Sequence, residues 1–411
     1  MHPPLAALIV VDPSPEPATA LARTVERVAA AARAQGRVVI PLASAAGGFG
    51  AHEALAAAGV RRVALCGPAS LAGVLAAARG ARALGYAVDV LADAIAEGPP
   101  GRAQRARREI EALGCRRRSW AELLSEGDRS VAVPGLGEGD TTLWCGALRG
   151  CIEEGAGTYE ALAREVGWAA MMHRGGEVPR RVAVQATRGP DGVEALYRHP
   201  VDGQPPVGGW TPVVDAIRRG VEARTGSAFN HCLLQLYRDG RDWISEHSDK
   251  TLDLVRPSPI VNVSLGRTRT MVLRPKRGDG APERVPLPHG SMLVMGLATN
   301  RARYHEIRRE GAAPDDGPRI SLTFRHIGTF HDPATGAVWG VGAPAADRPT
   351  AEARALARAA LPPGERASRE RAEAERMLQL FRAENVDPDF DPAAFRPGFE
   401  VVDLRALNDA G

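Results

Sequence analysis

Apolar and polar positions follow two different rhythms along this chain, and the change falls near residue 125. Apolar runs at Leu5–Val11, Arg37–Ile40, Val63–Cys66 and Val88–Leu91 read as buried strands, each followed by an Ala-rich helical stretch. Strand and helix alternating at that spacing predict βαβ units, hence a parallel sheet with helices on both faces in a three-layer α/β domain over residues 1–125. Residues 126–142 are rich in Gly, Ser, Pro and acids and read as a linker. Short β-type runs follow between 143 and 343, at His231–Tyr237, Ile260–Leu265, Thr270–Leu273, Ser291–Met295 and Ile320–Phe324. Their Gly and Pro punctuation predicts an antiparallel sandwich or jelly roll. Residues 344–411 read as a helical extension broken at Pro362-Pro363, with a loosely docked Pro-, Asp- and Phe-bearing tail.

Composition narrows the class. A chain of 411 residues with 44% hydrophobic residues can bury the cores of two or three domains. No apolar run approaches the roughly 20 residues that span a bilayer, so no membrane partner is expected. Met1-His2-Pro3-Pro4 lacks a basic n-region, and the apolar stretch behind it stops at Asp12, which predicts no signal peptide. The five cysteines are scattered and form no CxxC pair, against a disulfide scaffold or zinc finger. Together these predict an intracellular protein of the cytoplasm or nucleus. Lys250 and Lys276 are the only lysines, so the basic charge is nearly all arginine. That suits bidentate recognition of nucleic acid, and it equally suits an overall bias toward Arg, Ala, Gly and Pro.

Eight of the ten histidines lie between His173 and His331, which places the candidate chemistry in the second domain. In an extended segment, His247 and Asp249 point to the same side. His305, after the run Ser291–Met295 and its turn, would complete the two-histidine, one-carboxylate face that holds Fe(II) and leaves positions open. Alone, an HxD pair arises readily by chance. A second pattern adds weight: with period two, Arg319, Ser321, Thr323 and Arg325 share one face of a strand whose other face is Ile320, Leu322 and Phe324. Such a face fits a solvent-facing edge strand, or a buried wall that meets a dicarboxylate through charge-assisted hydrogen bonds.

The segments Tyr237-Arg238-Asp239-Gly240, Glu246–Asp249, Pro259–Gly266, Pro288–Met292, Tyr304-His305 and Arg319–Arg325 together resemble the AlkB family, and the resemblance runs from Tyr159 to Phe330. It implies a double-stranded β-helix (jelly roll), Fe(II) as cofactor and 2-oxoglutarate as cosubstrate. It implies that His247, Asp249 and His305 bind the metal and that Tyr237 and Arg319 hold the distal carboxylate of 2-oxoglutarate. Thr323 and Arg325 complete the cosubstrate pocket, with Gln235 and Ser321 standing where the family has asparagines. The function implied is oxidative demethylation of N-alkylated nucleobases in DNA or RNA; the alternative is a 2-oxoglutarate-dependent hydroxylase of a protein side chain or small molecule. Lys250, Thr251 and Leu252 follow Asp249 where the family often has an acid that touches the base. Met172, His173, Arg174 and Arg180 occupy the place of the substrate lid, and the arginines Arg267, Arg269, Arg274 and Arg277 with Lys276 give a second basic cluster.

The first domain resembles the isochorismatase-like cysteine hydrolases through Val10-Val11-Asp12, Leu65–Ser70, the helix over Ala76–Leu84 and Leu91–Ala94. Asp12 matches the aspartate of that family's Asp–Lys–Cys triad, but the nucleophile falls at Gly73 and no lysine precedes Lys250. The resemblance therefore implies an inactive relative serving as a scaffold, a homo-oligomer contact or a platform for a partner protein.

Overall fold

The computed structural model describes residues 6–11, 19–42, 49–67, 71–96, 100–126, 130–149, 157–173, 176–200, 205–310 and 317–407. The first domain is built from β1 (Ala7–Val11), α1 (Ala20–Ala34), β2 (Val39–Leu42), α2 (His52–Ala57), β3 (Arg62–Gly67), α3 (Leu71–Ala83), β4 (Ala87–Ile95), α4 (Pro100–Ala112), β5 (Arg116–Arg118) and α5 (Trp120–Leu124). The five strands form one parallel sheet in the order β2-β1-β3-β4-β5. Four of them were legible as apolar runs. The fifth is three arginines, with no apolar signal; Arg116 instead holds the buried Asp89 of β4 through a bidentate pair at 2.9 and 3.1 Å. A capping box closes the start of α5, where Ser119 and Glu122 exchange hydrogen bonds.

The expected linker over 126–142 gives way to structure. Strands β6 (Val131–Leu136) and β7 (Thr141–Cys145) pair antiparallel, burying Val131, Val133, Leu136, Leu143 and Cys145. The Gly-rich composition that suggested a linker is the turn between them, where Gly137 and Gly139 take positive φ. A Cβ on Gly137 would lie 2.3 Å from Thr299 Oγ1, so the hairpin can seat only with glycine there.

Beyond it run α6 (Gly157–Glu165), β8 (Ala169–His173), β9 (Gly176–Ala186), β10 (Glu194–Ala195), β11 (Val207–Gly208), α7 (Pro212–Thr225), β12 (His231–Tyr237), β13 (Ile244–His247), β14 (Ile260–Gly266), β15 (Arg269–Pro275), β16 (Glu283–Leu287), β17 (Ser291–Met295), α8 (Leu297–Ala302), β18 (Arg303–Ile307), β19 (Arg319–Arg325), β20 (Thr329–Asp332) and β21 (Ala337–Gly340). A nine-stranded sheet has the order β11-β9-β12-β19-β14-β17-β7-β6 with β8 on β9, and a four-stranded sheet has the order β13-β18-β15-β16. The domains share an apolar core. Leu8, Val10, Val25 and Val28 of the first pack in one cluster with Met271, Leu273, Val285 and Leu287 of the four-stranded sheet.

The chain closes with α9 (Arg348–Ala359) and α10 (Pro363–Val386), separated at the Pro362-Pro363 break that the sequence marks. The tail does not dock loosely. Phe390, Phe395, Phe399, Val401 and Leu404 are buried with Met377 and Phe381 of α10 in a separate core. Scattered aromatics show no periodicity in sequence, so only the fold reveals that they converge.

Candidate active site

Antiparallel pairing brings the candidate metal ligands together. In the four-stranded sheet His247 of β13 stands directly opposite His305 of β18, with ring centroids 4.2 Å apart. Asp249 lies two residues beyond the end of β13, and its Oδ1 is 3.9 Å from each imidazole Nε2. One ligand atom from each of the three residues lies within 4.8 Å of the others. His247 Nδ1 donates to the Ser245 carbonyl at 2.8 Å, which leaves Nε2 with its lone pair facing the cluster. Burial, opposed by Asp249, holds His247 below its ordinary range; burial with the adjacent His247 pushes His305 down to about 3. Burial opposes ionisation of Asp249, but Arg325 and the two imidazoles outweigh it and hold the carboxyl well below the usual range. At neutral pH the cluster is therefore two neutral imidazoles and one carboxylate, the protonation state a divalent metal requires.

The arginine strand is buried throughout, which excludes the edge-strand reading. In β19, Arg319, Ser321, Thr323 and Arg325 are 8% exposed or less, and β12 and β14 pair with it on either side. The register sets Tyr237 opposite Arg319, Gln235 opposite Ser321 and Asn262 opposite Thr323, so all face one pocket with His247, Asp249 and His305. Arg325 Nη2 donates to Asp249 Oδ2 at 2.7 Å, which turns Oδ1 toward the imidazoles. Arg319 Nη2 donates to Ser264 Oγ at 2.8 Å and Asn262 Oδ1 at 3.3 Å. Nε and Nη1 of both arginines are buried and have no hydrogen-bond partner among the described residues. Burial lowers Arg319 to about 10, with the Tyr237 hydroxyl offsetting part of the effect. Buried guanidinium donors left unpartnered are costly, and a dicarboxylate is a group that would satisfy them. The donor set thus fits both Fe(II) and 2-oxoglutarate.

Sequence reasoning overlooked Asn262 and Ser264, whose signal was two polar residues at i and i+2 in an otherwise apolar strand. Asn262 Nδ2 donates to Ser321 Oγ at 2.8 Å and Thr323 Oγ1 at 3.1 Å, tying the polar face of β19 together. It also overlooked Tyr197, whose ring lies 4.4 Å from the Arg325 guanidinium; nothing in sequence links the two.

The expected lid is a β8–β9 hairpin. Met172 is 54% exposed on it. His173 ends β8 opposite Gly176, and Arg174 lies outside the described residues. Arg180 departs from expectation: it is 7% exposed and donates Nη1 to the Trp243 carbonyl at 3.0 Å, so it faces the interior rather than a phosphate. It falls on the buried side of β9, in step with Val182 and Val184, where alternation carries it inward. The second basic cluster is likewise not a free cationic surface. Arg269 is buried against three carbonyls, Arg274 pairs with Glu246, Arg277 with Asp387 and Asp389, and Lys276 donates to the Glu384 carbonyl.

Residues 152–325 match the 2OG-Fe(II) oxygenase superfamily. The segment that holds His247, Asp249 and His305 thus matches a 2OG-Fe(II) oxygenase model and is similar to AlkB homologues. The human DNA oxidative demethylase ALKBH2 is 39% identical over 159 residues, covering 36% of this chain and 57% of that protein. Human alpha-ketoglutarate-dependent dioxygenase alkB homolog 3 is 38% identical over 138 residues, 32% of this chain and 46% of that protein. The Arabidopsis thaliana DNA oxidative demethylase ALKBH2 is 32% identical, over 28% of this chain and 42% of that protein. The chain thus spans about half the length of the curated relatives it matches. Residues 12–122 match the isochorismatase domain.

In that first domain, Asp12 lies outside the described residues. Gly73 is buried within α3, and Cys66 is fully buried on β3 with Sγ 3.7 Å from the Ile9 carbonyl. Burial pushes the Cys66 thiol up to about 12, so it carries almost no thiolate at neutral pH. Iodoacetamide at pH 8 should therefore leave Cys66 unmodified in the native chain and alkylate it in denaturant, read by peptide mass spectrometry. Native-state labelling at Cys66 would contradict this environment.

Proposed function

We propose that this protein is an Fe(II)- and 2-oxoglutarate-dependent dioxygenase that oxidatively demethylates N-alkylated nucleobases in DNA or RNA. The observation that carries the reading is one pocket holding a His247–Asp249–His305 cluster beside two buried arginines with unpartnered donors. The order of strands supports a double-stranded β-helix, since β12, β14, β17 and β19 fall in one sheet while β13, β15, β16 and β18 fall in the other. The names of the relatives, DNA oxidative demethylase among them, support a nucleic-acid substrate.

In this reading His247, Asp249 and His305 hold the iron. Tyr237 and Arg319 hold the far carboxylate of 2-oxoglutarate, with Gln235 fixing the tyrosine through a hydroxyl hydrogen bond of 3.1 Å. Arg325 keeps Asp249 ionised and orients it. Iron with 2-oxoglutarate would reduce dioxygen, oxidising the cosubstrate to succinate and CO2 and supplying an oxidant able to hydroxylate a C–H bond next to nitrogen. Ile244, Met271, Leu293 and Ile307 line the same pocket and keep it apolar around the reacting groups. A paired base must be flipped from its duplex to reach the site, and the exposed Met172 and the 37% exposed Trp243 offer apolar surface on the lid side. The first domain is read as a scaffold without thiolate chemistry, supported by Gly73 at the nucleophile position and the buried Cys66.

The test is anaerobic loading with Fe(II) and 2-oxoglutarate followed by air, with succinate and formaldehyde measured. Formaldehyde stimulated by oligonucleotides carrying N-methylated adenine or cytosine is the expected result. Succinate formed without that stimulation would overturn the nucleic-acid substrate, and no succinate would overturn the dioxygenase.

Arg319 gives a separate prediction. Arg319→Met removes charge-assisted bonds worth about 1.5–3 kcal/mol, so KM for 2-oxoglutarate should rise about tenfold to a hundredfold. The same change removes a buried guanidinium whose donors are only partly satisfied, so the melting temperature of the ligand-free protein should hold or rise. Stabilisation by added 2-oxoglutarate with Mn(II) should shrink sharply. A variant with normal KM would exclude Arg319 from the cosubstrate site.

A further inference from the structure

The turn that carries Asp249 has no ladder of its own, yet a side chain from elsewhere accepts each of its four successive backbone N–H groups. Ser248 N–H donates to Asn385 Oδ1 at 3.1 Å and Asp249 N–H to Asn300 Oδ1 at 2.9 Å. Lys250 N–H donates to the Tyr197 hydroxyl at 3.1 Å and Thr251 N–H to Glu384 Oε1 at 3.0 Å. Two of the four acceptors, Glu384 and Asn385, sit in the last turn of α10, beyond the segment matched to the oxygenase superfamily.

The attachment is reinforced from the other direction. Lys250 Nζ donates to the Phe381 carbonyl at 3.0 Å, and Lys276 Nζ donates to the Glu384 carbonyl at 2.9 Å. These are the only two lysines among 52 basic residues, and both grip the last two turns of one helix. Carbonyls at a helix C-terminus carry partial negative charge, which an ammonium meets favourably. Glu384 is 5% exposed and its Oε1 also accepts the Thr251 hydroxyl, so that oxygen is committed to this turn.

We propose that the last turn of α10 is a positioning device for the metal ligands, with Glu384 and Asn385 as positioning residues that fix the backbone on either side of Asp249. The inference rests on reading His247, Asp249 and His305 as the metal site. It extends that site to a helix outside the matched segment and gives the C-terminal extension a role in the chemistry.

The test measures Mn(II) affinity of the full chain with 2-oxoglutarate present, from the electron paramagnetic resonance signal of free Mn(II). Asn385→Ala combined with Glu384→Ala should weaken binding about 10- to 100-fold, the usual cost of losing supports behind metal ligands. Asn385→Asp and Glu384→Gln keep an acceptor oxygen and should bind within about threefold of the parent. Parental affinity in the double variant would overturn the proposal. So would conservative variants as weak as the alanine ones, because that would mark a loss of packing rather than of the acceptors. If the double variant does not unfold cooperatively, Asn385→Ala alone decides, since it removes one neutral acceptor. Mn(II) binding by the parent that His247→Ala leaves intact would instead sink the metal-site reading itself, and the brace with it.

Discussion

His247→Ala should lose at least about a hundredfold in succinate and formaldehyde formation while its melting temperature falls by no more than about 4 °C. The two effects separate because of where the side chain sits. Its imidazole is 30% exposed and, among the described residues, its one hydrogen bond is to the Ser245 carbonyl, so little packing is lost with it. Asp249→Ala should abolish turnover equally but also destabilise the fold, because Arg325 would keep a buried guanidinium without its carboxylate. Asp249→Asn, which retains an oxygen for Arg325, should fall between the two in stability and match the alanine in activity. Unchanged turnover in either alanine variant would remove the cluster from the chemistry.

Arg198→Met should have the largest effect on stability, on the order of 3–5 kcal/mol, because it leaves Asp253 buried without its partner. The pair is fully buried, with Arg198 Nη2 2.5 Å from Asp253 Oδ1. Arg198 also donates to the carbonyls of Phe399 at 2.9 Å, Val401 at 3.1 Å and Gly342 at 2.8 Å. One side chain thus joins the tail to the loop that follows Asp249, and no room is left around it: a Cβ on Gly342 would lie 2.5 Å from Arg198 Nη2. Thermal unfolding and limited proteolysis of the tail would register the loss. Replacing both partners, Arg198→Met with Asp253→Leu, should recover part of it, since no buried charge is then left alone. A double variant as unstable as the sum of the singles would mean that the two residues are not coupled.

Much of the site was legible along the chain because its signals are local and periodic. Period two in a strand fixes which residues share a face, so Arg319, Ser321, Thr323 and Arg325 could be grouped before any fold was known, as could His247 with Asp249. Apolar runs between helical stretches specified four of the five strands of the parallel sheet, and Pro362-Pro363 marked the break between the last two helices. These features follow from backbone geometry that each residue carries with it.

Other features exist only through contacts between distant segments. Whether the arginine face meets solvent or a pocket is undecided in β19 itself; the strands on either side bury it. Arg180 and Arg269 look like phosphate-binding cations in sequence, but the register of their strands turns both inward, where one carbonyl accepts from Arg180 and three accept from Arg269. The hairpin over β6 and β7 reads as a linker because its turn is Gly-rich, and only the seat beside Thr299 shows why glycine is required. The brace on Asp249 is the extreme case. Glu384 and Asn385 resemble any polar pair on a solvated helix until the fold lays that helix against the turn, because hydrogen-bond partners more than a hundred residues apart leave no periodic trace in a single sequence.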